Sequence, residues 1–230
     1  MIKGLLAGMM GLVFFTMVGH AQVTKGKVLP CIKADLVLIF DRSDSVGDEE
    51  QDALILVAVN DLANRYELSK DTLQIGIGVF TAVPAVLADI TWNKQKIADA
   101  VGGFPSSSGN TNISAGFDAA ETMFLDQLRS TENAGRVDAK KVMVIFSDGI
   151  SEAYESAAQI SQRLKDGSWI FDYDQNVRLN EVTVYVVNTS ADKSNKNREA
   201  LLGLASGPEY YTELEYGQIF GYLEKLNICG

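Results

Sequence analysis

The 230-residue chain is poor in the residues that most catalytic and soft-metal sites need: it has one histidine and two cysteines. The histidine, His20, falls in an N-terminal segment with the pattern of a cleaved leader, so the mature chain is expected to have none. Ser–His–Asp and Cys–His catalysis are excluded with it, as are ordinary zinc sites, which need His or several Cys. Basic charge is also short. Lys and Arg number 20 against 30 Asp and Glu, a net charge of −10. Such a chain repels nucleic acid and anionic lipid, which leaves metal cations and basic surfaces as partners. No apolar run beyond the leader is long enough to span a bilayer.

The leader itself is what stands at the start. Lys3 precedes GLLAGMMGLVFFTMVG, and Gly19 and Ala21 are the small residues before a cut. Residues 1–21 read as a secretory signal peptide, the alternative being an uncleaved anchor. The chain then divides into an extension, 22–30, and one domain, 31–229, of ordinary length for an α/β fold. The expected location is secreted, extracellular, with no membrane span after cleavage. In that oxidising setting Cys31 and Cys229, at the two ends of the domain, read as one disulfide. Loop closure over so long a segment is worth about 5 kcal/mol in the chain-entropy account. Two buried free thiols are the alternative.

Apolar strands alternate with helical patterns. Strands are expected at 35–40, 73–80, 85–91, 141–147, 181–188 and 209–214. The third follows Pro84, which suits an edge. Helices are expected at 49–68, 93–101, 113–128, 151–165 with Ser151 as N-cap, 197–206 and 216–227. Strands apolar throughout and separated by helices mean a parallel sheet with helices on both faces, an open, doubly wound α/β fold. The loops of note are 102–110 and 166–180.

In such a sheet, ligands bind beyond the carboxyl ends of the strands. There, "DRSDS" places Asp41, Ser43 and Ser45 at alternate positions after the first strand. Asp148 follows the strand 141–147, and Thr111 sits just before the helix 113–128. Two carboxylates and three hydroxyls are hard donors, suited to Mg²⁺, Mn²⁺ or Ca²⁺. Two carboxylates balance the ion, and the hydroxyls add no charge. A carboxylate from a partner could then complete the coordination. Taken alone, the first motif is also an ordinary helix-entry turn with Ser45 or Asp48 as cap.

"DRSDS", the Thr111 loop and "FSDG", in that order, resemble the metal-ion-dependent adhesion site of the von Willebrand factor A domain. The resemblance covers about residues 31 to 229. It implies a Rossmann-like, mostly parallel, six-stranded sheet with one antiparallel edge strand, and a binding role in place of catalysis. It implies metal contact by Ser43, Ser45 and Thr111, with Asp41 and Asp148 binding directly or through water. The cysteine pair is similar to that of secreted members whose disulfide joins the domain ends. Three features depart from the family: "VVNTS" at the end of 181–188, the long 166–180 loop, and the acid Asp44 inside the first motif.

Other features have modest readings. Asp48 and Glu49 stand where integrin beta subunits carry a second metal, but acids in a first helical turn also suit the helix dipole. Asn112 and Asn188 begin glycosylation sequons. A glycan at Asn112 would obstruct the site and is not expected; one at Asn188 requires a eukaryotic source. Trp169, Phe171 and Tyr173 either form a contact patch or fold back onto the domain. The expected function is a non-enzymatic, secreted adhesion domain that engages an acidic residue of an extracellular protein, a matrix component, collagen included, through a divalent cation. The alternatives are an acidic structural protein of a matrix or mineralised tissue, and a metal-dependent hydrolase working through carboxylates alone.

Overall fold

The computed structural model describes residues 28–46, 49–129, 136–149, 153–167, 169–171, 176–190, 195–226 and 228. The expected leader, Asp48, Ser151, Tyr173 and Cys229 lie outside them. Eight strands follow one another along the described chain: β1 (Ala34–Asp41), β2 (Leu73–Phe80), β3 (Pro84–Thr91), β4 (Lys140–Ser147), β5 (Trp169–Phe171), β6 (Asn176–Arg178), β7 (Val182–Asn188) and β8 (Tyr211–Glu213). The helices are α1 (Glu49–Arg65), α2 (Lys94–Gly102), α3 (Ile113–Arg129), α4 (Tyr154–Asp166), α5 (Asn195–Leu204) and α6 (Ile219–Leu223). Six strands form one sheet in the order β3-β2-β1-β4-β7-β8. All its neighbours are parallel except β3, which runs antiparallel to β2 at one edge. The expected class and the antiparallel edge are both present.

β1 takes the centre because every one of its residues is buried. Successive side chains of a strand point to opposite faces, so Leu36, Leu38 and Phe40 pack with Ile55, Val59 and Leu62 of α1, Ile97 of α2 and Leu223 of α6. Val37 and Ile39 pack on the other face with Phe117 and Phe124 of α3, Ile160 of α4 and Leu201 of α5. The sheet is therefore covered on both sides. β4 repeats the pattern beside β1, and the carboxyl ends of these two strands finish together.

At the opposite, amino end of the sheet lies a buried ionic group. Asp35 on β1 stands directly across from Lys141 on β4 and accepts a hydrogen bond from its ammonium. Arg136 donates through Nε to Asp35 Oδ1 at 2.8 Å and through a second nitrogen to the carbonyls of Ala34 and Thr72. Gln127 of α3 accepts from Lys141 and donates to Gln74. Asp35, Lys141 and Arg136 are all at most 2 % exposed.

Several elements differ from expectation for local reasons. α4 starts at Tyr154, with Ala153 in the N-cap position and no side-chain cap; Ser151, the expected cap, lies outside the described residues. It ends at Gly167, whose φ of 64° closes the helix in the left-handed region. The expected loop 166–180 holds a small antiparallel hairpin of β5 and β6, with Trp169 and Phe171 in its first strand. Asn180 donates to the carbonyl of Val137, just before β4, so this segment meets the amino end of the sheet. The expected helix 216–227 is a 3₁₀ turn, Tyr216–Gln218, leading into only five residues of α6. Gly217 and Gly221 lower helix propensity in that stretch.

Candidate metal centre

β1 ends at Asp41, whose carboxylate is 1 % exposed. Its Oδ1 accepts the backbone N–H of Ser43 at 2.9 Å. That turns the chain sharply at the strand end and brings the hydroxyls of the motif round. Its Oδ2 lies 2.7 Å from the hydroxyl of Ser147, the last residue of β4. Ser43 Oγ stands 3.3 Å from Ser45 Oγ, and Thr111 Oγ1 donates to Ser43 Oγ at 2.9 Å. Three hydroxyls from two loops thus form a row beside Asp41. Asp148, half-buried after β4, is close enough for its charge to act on Asp41. Burial pushes the Asp41 pKa above its usual value of 3.8. The bonds from Ser43 and Ser147 pull it down, and the Asp148 charge adds to the rise.

The two loops are clamped by residues whose role was not read from the sequence. Arg42, 3 % exposed, forms a bidentate pair with Asp52 of α1 and donates to the carbonyl of Pro105 at 2.9 and 3.1 Å. Its guanidinium also lies 5.5 Å from the ring centre of Phe104. Its backbone accepts from Ser108 N–H. Asp44, the departure within the motif, exchanges two bonds with Gly109: its carboxylate accepts Gly109 N–H, and its own N–H donates to the Gly109 carbonyl, both at 3.0 Å. Gly109 has φ 74°, a conformation that favours glycine. Asp44 therefore holds the Thr111 loop on the first motif. Asn112 N–H donates to Thr81 O, and its side chain to Ala82 O, which fixes the entry to α3. α3 docks closely: a Cβ at Gly116 would stand 2.8 Å from the Phe80 ring and 2.9 Å from Ile145.

All five candidate positions therefore lie at the carboxyl end of β1 and β4 or at the head of α3. Among the described residues no group of three or more His, Cys, Asp or Glu is placed to hold a metal, so any cation here must use hydroxyls as well as carboxylates. The donor set fits a hard divalent ion: two buried or half-buried acids, one with a raised pKa, stand beside three hydroxyl oxygens. The second-metal reading rests on Asp48, outside the described residues. Asn188 is 2 % exposed; its Nδ2 donates to Tyr211 Oη and its Oδ1 accepts Ser190 N–H. The nitrogen a glycan would need is engaged by Tyr211, so a glycan at Asn188, expected only for a eukaryotic source, would require that bond to open. Cys31 is buried in the core on the α1 side.

Residues 35–224 match the family described as von Willebrand factor type A domain. Solved structures share the architecture. The proximal thread matrix protein 1 of the mussel byssus, in a structure with a zinc-occupied MIDAS motif, superposes with a TM-score of 0.64 at 19 % identity, covering 84 % of this chain and 44 % of that one. Manganese-loaded TRAP protein of Plasmodium vivax gives 0.62 at 18 %, covering 86 % and 75 %. The pilus adhesin SpaC of Lactobacillus rhamnosus GG gives 0.63 at 14 %, covering 84 % and 30 %. This chain thus spans less than half the length of the mussel and Lactobacillus chains. At such identities the likeness is one of fold.

Proposed function

Because the chain belongs to the von Willebrand factor type A domain family, we propose that it is a secreted binding domain that engages an acidic group of an extracellular protein through a divalent cation. The observation that carries this reading is the row Thr111–Ser43–Ser45 beside the buried Asp41, with Asp148 near enough for its charge to act on Asp41. When bound, the cation supplies a positive centre that a partner's carboxylate can reach. The chain's own residues do the rest. Asp41 and Asp148 balance the ion, the three hydroxyls add oxygens without charge, and Arg42 and Asp44 hold the two loops in register. Mg²⁺ or Mn²⁺ is the proposed ion, with Ca²⁺ as a third choice. The donor set is oxygen throughout, which hard cations favour. Matrix proteins, collagen included, are the proposed partner class. The role is binding in place of turnover, since the hydroxyls are bonded to one another and, among the described residues, no histidine stands by to activate them.

The domain ends are proposed to be joined by a Cys31–Cys229 disulfide. Ile228, the neighbour of Cys229, is buried in the same core cluster as Cys31. Intact-mass analysis of the secreted protein should find two fewer hydrogens than the dithiol; two alkylatable thiols would refute the bond.

The site is tested by melting the protein with Mg²⁺, Mn²⁺, Ca²⁺ or Zn²⁺ against chelator, and by binding to immobilised collagen and other matrix proteins under the same conditions. A cation at about one hundred times its Kd should add roughly 2.7 kcal/mol, and Asp41→Ala should remove the shift. Matrix binding that survives both chelator and Asp41→Ala, and follows ionic strength alone, would instead favour the acidic structural reading.

A further inference from the structure

A groove of about 770 Å³ runs along the outer edge of β3. Residues 87–93 form its floor. Lys96 and Asp99 of α2 line one side, and Met123, Asp126 and Gln127 of α3 line the other. α2 and α3 cover opposite faces of the sheet, so the groove straddles the sheet's edge. It is remote from the metal centre. Thr91 pairs with Ile75, which pairs in turn with Leu36, near the start of β1.

The groove is acidic with one aromatic surface. Asp89, Asp99 and Asp126 are exposed against the single ammonium of Lys96. The Trp92 indole is 39 % exposed. Asp89 forms no ion pair or side-chain hydrogen bond among the described residues. An acid midway along an edge strand discourages pairing with a second copy of the same chain, and the net charge of −10 adds to that repulsion. The same charge that turns away a like strand attracts one of opposite sign. An indole face beside carboxylates is the surroundings a guanidinium or ammonium prefers.

We propose that the β3 groove is a second, metal-independent binding site that takes a basic segment of a partner protein, with an arginine or lysine side chain against Trp92 and Asp89. Its volume is that of a site holding a few side chains. Charge complementarity sets the partner: nucleic acid, anionic lipid and a second copy are all repelled. This inference does not rest on the metal reading.

The test uses the whole secreted chain and an acetylated, amidated octapeptide of alternating arginine and serine, titrated by calorimetry with chelator and again with Mg²⁺. Saturable binding is expected, equal in the two conditions. Asp89→Lys and Trp92→Ala should each weaken it by about tenfold or more. Glu209→Gln, at an exposed acid beyond the opposite edge of the sheet, should leave it within about twofold. Asp89→Lys, at an exposed position, keeps the test independent of any effect of Trp92→Ala on folding. Absence of saturable binding overturns the proposal. So does equal weakening by Glu209→Gln, which would mean bulk charge alone, or equal binding of a glutamate–serine peptide. A dimer in light scattering that Asp89→Lys dissociates would assign the groove to a second copy and overturn it as well.

Discussion

Asp41 carries opposite demands in one side chain. Burial raises its pKa, so the folded state holds the proton more firmly than the unfolded one. Apo stability should therefore be greatest below the ordinary value of 3.8 as far as this group is concerned, and fall as pH rises from there through the higher folded value. Asp41→Asn should flatten that part of the profile, which urea titrations of chelated protein at a series of pH values will show. The variant keeps an oxygen for Ser43 N–H but removes the charge, so its melting temperature should no longer respond to Mg²⁺. Metal binding by the wild type should weaken as pH falls through the raised pKa, since proton and cation compete for the same oxygens. Arg42 makes a different demand. It is nearly inaccessible and shares Asp52 and Pro105 between α1 and the Thr111 loop. Arg42→Met should cost about 2–3 kcal/mol in urea unfolding, because the partly buried Asp52 is left unpaired, and should weaken cation binding by loosening the loop.

At the scale of elements, α3 sets the distance between the Thr111 hydroxyl and the first motif. Gly116 lets it lie against Phe80 and Ile145 without a Cβ between them. Gly116→Ala should destabilise the domain by about 1–3 kcal/mol, despite the gain in helix propensity, and reduce the metal-dependent thermal shift. An unchanged shift in a destabilised variant would mean that the head of α3 is positioned by Asn112 and the Asp44–Gly109 pair alone. The strands and the five candidate ligands were legible because each obeys a local rule: continuous burial for β1, β2 and β4, and oxygen-bearing residues just past the strand ends. What escaped obeys no local rule. Ser147 is visible as the last residue of a strand, but its bond to Asp41 exists only because β1 and β4 end side by side. The engagement of Arg42 with Pro105 spans 63 residues. Asp44 read as a departure from a pattern, and its partner is a glycine 65 residues away. The hairpin of β5 and β6 and the shortness of α6 depend on packing and on glycines whose effect is small in any one window.

For the whole molecule, the ionic group at the amino end of the sheet is the costliest feature to disturb. Burial holds the Lys141 pKa below its usual value, while the Asp35 charge and hydrogen bond act the other way. Asp35→Ala should lower stability by about 3–5 kcal/mol, measured by equilibrium urea unfolding, since it strands Lys141 and Arg136 in the interior. Replacing Asp35, Lys141 and Arg136 together by apolar residues should cost much less. If so, thermodynamics alone does not account for the group, and its effect is on alignment. β1 reads Leu36-Val37-Leu38-Ile39-Phe40, apolar on both faces, so sliding it by one residue against β4 exchanges oil for oil. The only positions that register such an error are the charged ones: a slip carries Asp35 to the face away from Lys141 and leaves two cations in a dry interior. The ion pair thus works like the notch of a key, contributing little to how firmly the strands hold together and much to where they stop. Because β1 is read from that notch to its far end, the same pair determines that Asp41 comes level with Ser147.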